Sequence, residues 1–111
     1  MSKLVTLNKN NQFKRLYGKG RQFASPLLVT YCIKNKSGII RYGITASKKI
    51  GCAVERNRAR RVIREAYRAV YPEIASGADI VFVARGKTTR CTTDDVTAVM
   101  RLHLRDAGIL K

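Results

Sequence analysis

Basic side chains far outnumber acidic side chains and histidine. The 111 residues include 23 Lys and Arg but only 7 Asp and Glu and one His. A protein nuclease needs a general base and acid, or clustered carboxylates that hold metal ions. Asp94 and Asp95 are adjacent, so their side chains diverge around the helix predicted there and do not form a metal clamp. His103 lies on an apolar helix line, where a half-buried, hydrogen-bonded histidine is more common than a ligand. We therefore predict no catalytic residue and no metal site in the protein.

The cysteines have no paired C-x-x-C spacing, and with a single histidine they do not form a zinc site. One of them lies within an apolar strand, where a small buried side chain is expected. We interpret all three as reduced thiols: Cys32, Cys52 and Cys91.

The basic residues concentrate between Ser47 and Arg68, where eight Lys and Arg face two Glu, a balance of 8 − 2 = +6. No Pro or Gly occurs from Ala53 until Pro72, so a helix of several turns is permitted. At 100° per residue one side of this helix is apolar and packs on the core. That apolar side carries Ala59, Val62, Ile63, Ala66 and Val70, flanked by Tyr67. The opposite side carries Asn57, Arg61, Arg64 and Arg68, while Arg60 lies between the sides and Arg56 and Arg58 lie at the helix start.

A basic helix face can simply be a solvated surface. Such a surface usually mixes signs, because Glu–Lys pairs at i, i+4 relieve repulsion. Arg61, Arg64 and Arg68 instead repel one another without relief on their own stripe. A polyanion would convert that repulsion into binding energy, and the planar guanidinium grips phosphate oxygens with two hydrogen bonds. The pattern favours a polyanion over a solvated surface.

The whole composition agrees with a basic binding protein: apolar content is 45% and the net charge is +16. The apolar share is typical of a folded chain, which we interpret as a single RNA-binding domain over residues 1–111. The charge implies an anionic partner: nucleic acid, an anionic membrane surface or another polyanion. The basic helix has small or β-branched residues on its apolar side, which suit packing on a sheet better than insertion into a membrane. No apolar run approaches the roughly 20 residues of a membrane span, and no signal peptide opens the chain, so we expect a cytoplasmic protein without a membrane partner.

Hydrophobic periodicity predicts three helices and four strands in the order α-β-β-β-α-β-α, an α+β domain. The first helix is predicted over Asn8–Tyr17, capped by Asn8 and ended by Gly18 and Gly20, with Gly18 in a left-handed conformation. A short strand at 22–24 follows, and the next two strands, Leu27–Ile33 and Ile39–Ala46, are predicted to pair as an antiparallel hairpin. The arginine helix ends near Tyr71. A continuous apolar strand over Asp79–Arg85 is predicted in the sheet interior, and Thr93 opens the last helix.

The stretch from Ser47 to Glu65 resembles the signature of the bacterial ribonuclease P protein subunit. It reads Ser-Lys-Lys-Ile-Gly-Cys-Ala-Val-Glu-Arg-Asn-Arg-Ala-Arg-Arg-Val-Ile-Arg-Glu, with Arg56-Asn57-Arg58 at its centre. Cys52 departs from the family, which more often has Asn there, whereas Arg60 keeps the charge of the family's frequent Lys. The resemblance implies a two-layer α/β sandwich with a four-stranded sheet and three helices, a ribosomal-protein-S5-domain-2-like fold. It also implies a left-handed strand–helix–strand crossover, against the usual preference.

The resemblance further implies a division of roles between two surfaces. The catalytic RNA of ribonuclease P would be bound by Lys48, Lys49, Arg56, Asn57, Arg58, Arg60, Arg61, Arg64 and Arg68. The 5′ leader of precursor tRNA would be bound in a cleft between the first helix and the sheet by Phe13, Lys14, Tyr17 and Tyr31, with Arg85 as a further candidate. Ordinary core packing is a strong alternative for Phe13.

The implied activity is endonucleolytic hydrolysis that removes the leader. Mg²⁺ would be held mainly by the RNA subunit and substrate, with no small-molecule cofactor, and the chemistry would belong to the RNA. Two other classes share the charge and the lack of catalytic residues. A basic ribosomal protein would bind rRNA without stimulating tRNA maturation. A DNA-binding architectural protein fits less well, because no helix-turn-helix spacing is present.

Overall fold

The computed structural model describes residues 5–7 and 10–111. Its strands are β1 (Val5–Thr6), β2 (Arg21–Ala24), β3 (Leu28–Lys34), β4 (Ile40–Thr45) and β5 (Ala78–Ala84). Its helices are α1 (Asn10–Lys19), α2 (Ala53–Val70) and α3 (Thr93–Asp106), and short 3-10 turns cover Lys48–Ile50, Tyr71–Glu73 and Gly86–Arg90. The α+β class, the three helices and the element order from α1 onward are confirmed. The two-residue strand β1 is an addition that the sequence did not indicate.

The sheet has the order β1-β4-β5-β3-β2, with β5 at its centre. β5 pairs antiparallel with β3 and parallel with β4. The predicted β3–β4 hairpin is therefore wrong, because β5 lies between the two strands. The predicted interior position of β5 is confirmed, and it explains the error: β5 is buried at every position except the partly buried Val83, and a central strand is covered on both faces. The left-handed sense of the β4–α2–β5 crossover stays a prediction.

Two apolar clusters lie on opposite faces of the sheet. α2 and α3 cover one face, over a core that includes Ile80 and Phe82 of β5. On the other face, called the α1 face below, Leu16 of α1 packs against Val81 of β5. Side chains alternate between the two faces along β3, since Cys32 joins the larger core while Tyr31 packs against the smaller cluster. The smaller cluster is thin because α1 is short, and this leaves aromatic side chains near the surface.

α1 continues through Gly18 to Lys19, so the predicted left-handed stop at Gly18 is wrong. The helix ends one residue beyond that glycine, where the Gly20 N–H donates to the Leu16 carbonyl at 2.9 Å and β2 begins at once. The predicted cap, Asn8, lies outside the described residues.

Candidate nucleic-acid interface

The arginine face lies on α2, the helix between β4 and β5. Its apolar side is buried as predicted: Ala59, Val62, Ile63, Ala66, Tyr67 and Val70 all face the core. Arg61, Arg64 and Arg68 are exposed on the outer side, together with Asn57. The 3.6-residue periodicity of the helix therefore separates core from surface in the way the sequence indicated.

The charge of this face is not neutralised within the described part of the chain. The ion pairs there join Arg41 to Asp79 and Arg101 to Glu73, and neither involves α2. The two acidic residues of α2 have other partners. The Cys52 N–H donates to Oε1 of Glu55 at 3.2 Å, and the Thr93 hydroxyl donates to Oε2 of Glu65 at 3.2 Å. Three like charges on adjacent turns are thus left for an external anion.

Two arginines at the inner edge of the face are bound to the protein itself. Nε of Arg58 donates to the Thr89 carbonyl at 2.9 Å, which ties α2 to the 3-10 turn after β5. Arg60 donates to Oδ1 of Asn57 at 3.3 Å and to the Ala46 carbonyl at 3.5 Å. The sequence placed these side chains with the phosphate-binding set, but the structure gives them a second task of anchoring the helix. Arg56 is partly buried in the first turn of α2.

The Arg58 contact also brings a segment to this surface that sequence reasoning left without a role. Lys87 and Arg90 are exposed on the 3-10 turn that Arg58 anchors, and they extend the basic surface beyond α2. Arg58 and Thr89 are 31 positions apart, so no local sequence pattern could have shown that these segments meet.

A compact turn carries Lys48 and Lys49 to the N-terminal end of α2. The Ile50 N–H donates to the Ser47 carbonyl at 3.0 Å, and both lysines are exposed. Gly51 has φ 145°, a backbone conformation that residues with a side chain rarely adopt, so glycine is favoured there. The turn therefore fixes both lysines beside the positive end of the helix dipole, where an anion is doubly favoured.

The predicted aromatic group is brought together beside α1, but its members are not equivalent. The Tyr17 ring, 42% exposed, meets Tyr31 edge-on, with centroids 5.0 Å apart and planes at 80°. The Tyr17 hydroxyl lies 2.9 Å from Oγ1 of Thr45 on β4. Phe13 and Tyr31 are both partly buried and pack against the smaller core cluster. Tyr17 thus presents the most ring surface at the edge of the α1 face, whereas Phe13 and Tyr31 also hold α1 to the sheet.

The other members of the proposed cleft are charged. Lys14 is exposed on α1. Arg85 directly follows β5, and its extended backbone places it on the same face as Val83. One Arg85 guanidinium N–H donates to the Ser25 carbonyl at 3.3 Å, beside a surface pocket that Lys87 also lines. The α1 face therefore combines aromatic and cationic groups, as single-stranded nucleic-acid sites do.

The remaining groups capable of chemistry are engaged structurally. His103 is buried, its Nδ1 lies 2.9 Å from the Thr30 hydroxyl, and desolvation lowers its pKa. Burial raises the pKa of the Cys32 thiol to about 11. Asp79 accepts two hydrogen bonds from Arg41, each 2.8 Å long. Within the described ranges no group of three His, Cys, Asp or Glu side chains is placed to hold a metal ion, and no helix is long and apolar enough to cross a membrane.

Solved structures share this fold. The RNase P protein of Staphylococcus aureus superimposes with a TM-score of 0.83 at 34% identity, covering 98% of this chain and all of that one. The RNase P protein of Thermotoga maritima gives 0.76 at 28% identity, with 89% and 93% covered. The architecture is thus that of the protein component of a ribonucleoprotein enzyme.

Sequence comparison gives the same result. The ribonuclease P family profile matches residues 1–108. The ribonuclease P protein component of Clostridioides difficile is 47% identical over 91 residues, which are 81% of this chain and 80% of that protein. The corresponding protein of Clostridium botulinum strain Loch Maree is 36% identical over 104 residues, 93% and 94% of the two chains. The chain belongs to the ribonuclease P protein family.

Proposed function

We propose that this chain is the cytoplasmic protein subunit of ribonuclease P, which binds the catalytic RNA and the 5′ leader of precursor tRNA and promotes removal of that leader. The observation that carries the proposal is the exposed arginine face of α2 without an intramolecular ion pair in the described residues, in a chain of this family. Its like charges repel one another in the free protein, and phosphate groups relieve the repulsion.

The RNA subunit binds across α2 and the turn before it. Arg61, Arg64 and Arg68 contact backbone phosphates, and Lys48 and Lys49 add charge at the helix N-terminus. Arg56, Asn57, Arg58 and Arg60 complete this surface, with Arg58 and Arg60 also holding α2 against its neighbours. Phosphate contacts of this kind supply most of the affinity of a basic protein for RNA, and they make it dependent on salt.

The leader binds on the α1 face. Unpaired bases stack on Tyr17 and Tyr31, which accept any base because every base has a π-face. Lys14 and Arg85 neutralise leader phosphates, and Phe13 supports the helix that carries Tyr17. Mature tRNA lacks the leader and gains nothing from this surface. The protein therefore favours the precursor.

The side chains of this protein orient RNA rather than break it. Asp79 is bound by Arg41 and Glu73 by Arg101, so these carboxylates are not free to bind a divalent ion. The carboxylates of the described residues are not grouped in a way that could bind Mg²⁺. In the proposal, Mg²⁺ is bound by the RNA subunit and the substrate. The protein contributes charge screening and positioning, which place the phosphodiester bond correctly in the RNA active site.

The decisive experiment is cleavage of a 5′-leader precursor tRNA by a bacterial ribonuclease P RNA at low Mg²⁺, with and without the protein. We expect rapid cleavage only when both are present and none with the protein alone. If the protein binds the RNA but leaves the rate unchanged, the proposal is wrong and the chain acts as an RNA-packaging protein of the ribosomal type.

The leader site has its own test. Replacing Tyr17 and Tyr31 with Ala should weaken precursor binding to the reconstituted holoenzyme about tenfold or more, because stacking contributes about 1–3 kcal/mol per base. Binding of mature tRNA, which serves as the matched control substrate, should not change. Equal losses for both substrates would assign the two tyrosines to the core instead.

A further inference from the structure

Tyr17 is held by more than its own helix. Its hydroxyl is accessible to solvent, yet it lies 2.9 Å from the hydroxyl of Thr45, 28 residues further along the chain. Its ring also meets Tyr31 of β3 edge-on. Contacts with two different strands restrict the side chain to one orientation over the sheet.

The distance between α1 and the sheet is set two residues earlier on the same face of β4. A Cβ at Gly43 would lie 2.7 Å from Cε1 and Cζ of Phe13, closer than real Cβ contacts allow. The Phe13 ring can therefore rest on β4 only because position 43 has no side chain. This close approach brings the Tyr17 hydroxyl within reach of Thr45.

We propose that Thr45 is a positioning residue for the leader, holding the Tyr17 ring in the orientation in which it receives an unpaired base. The inference rests on the proposed function and extends it to a residue that acts through Tyr17. A ring already fixed in one rotamer loses less conformational freedom when a base stacks on it. Thr45 is also the last residue of β4, three positions before Lys48. Thr45 therefore fixes the position of the Tyr17 ring relative to the turn that carries Lys48, which in the proposal binds the RNA subunit.

The test uses the reconstituted holoenzyme and two substitutions that each remove one hydroxyl. Thr45→Val keeps the β-branched shape that suits a strand, and Tyr17→Phe keeps the ring. Each should weaken binding of precursor tRNA about threefold, the size of one exposed neutral hydrogen bond, and leave mature tRNA binding unchanged. The double variant should also lose about threefold, because both substitutions break the same bond.

Thr6→Val is the matched control, an exposed threonine on the neighbouring strand β1, and it should change neither affinity. The inference is overturned if Thr45→Val leaves precursor tRNA affinity unchanged, or if it lowers mature tRNA affinity by the same factor. It is also overturned if the loss in the double variant equals the product of the two single-variant losses. Tyr17→Ala separates this outcome from a failure of the leader site. If Tyr17→Ala lowers precursor preference and Thr45→Val does not, only the role of Thr45 is wrong. If neither changes it, the leader site is wrong as well.

Discussion

Removing the arginine face of α2 should change how RNA binding responds to salt. The perturbation is the triple replacement of Arg61, Arg64 and Arg68 with Ala. All three side chains are exposed, and alanine has the highest helix propensity, so α2 and the core beneath it should be retained. The described residues offer these arginines no carboxylate within ion-pair distance, so no internal contact is lost. The effect should therefore appear in binding rather than in stability.

The magnitude follows from the number of phosphates released. Each neutralised phosphate contributes about 0.7 to 0.9 to the slope of log affinity against log salt, so three arginines account for about 2 to 3 slope units. Between about 50 and 200 mM salt, the unmodified protein should lose roughly 20- to 40-fold more affinity than the triple variant. The two proteins should bind most differently at low salt.

The assay is titration of the ribonuclease P RNA by fluorescence anisotropy at several salt concentrations. The matched control replaces Arg101, Arg105 and Lys111 with Ala. Both variants have the same net charge, 16 − 3 = +13. The control residues are exposed on α3 and at the C-terminus, and Arg101 is already paired with Glu73. If both variants flatten the slope equally, affinity follows net charge alone and the assignment of the α2 face is refuted.

Three further predictions concern stability, each measured by urea unfolding. Tyr67→Phe should raise the free energy of unfolding by about 1 kcal/mol, because the buried Tyr67 hydroxyl has no hydrogen-bond partner among the described residues; a loss would show that the hydroxyl is bonded. Cys52→Asn should raise the free energy of unfolding by about 0.5–1 kcal/mol, since Cys52 occupies the N-cap of α2 and Asn caps better. An unchanged free energy would show that α2 does not begin at this cap. The lowered pKa of His103 means that the unfolded chain binds the proton more readily, so stability should be full above pH 6.5 and fall as the pH drops below it. His103→Gln should flatten that dependence, and an unchanged profile would exclude His103 as its cause.

The site could be predicted in part from local patterns. The α2 face followed from periodicity and the absence of helix breakers, because side-chain direction in a helix is fixed by sequence position alone. The aromatic group was found as well, and the sequence left core packing open for Phe13. Phe13 and Tyr17 are one turn apart, and Gly43 on a distant strand shows why the Phe13 ring packs against the sheet.

The sequence by itself determined the α+β class, the interior character of β5 and the charge separation on α2, since each depends on neighbouring residues and burial patterns. Only the tertiary structure decided that β5 lies between β3 and β4, that Arg58 anchors the 86–90 turn, and that Thr45 meets Tyr17. These are pairings between residues far apart in the chain. Strand order and side-chain partners across elements depend on which packing buries the most apolar surface in the whole domain, and no local window contains that information.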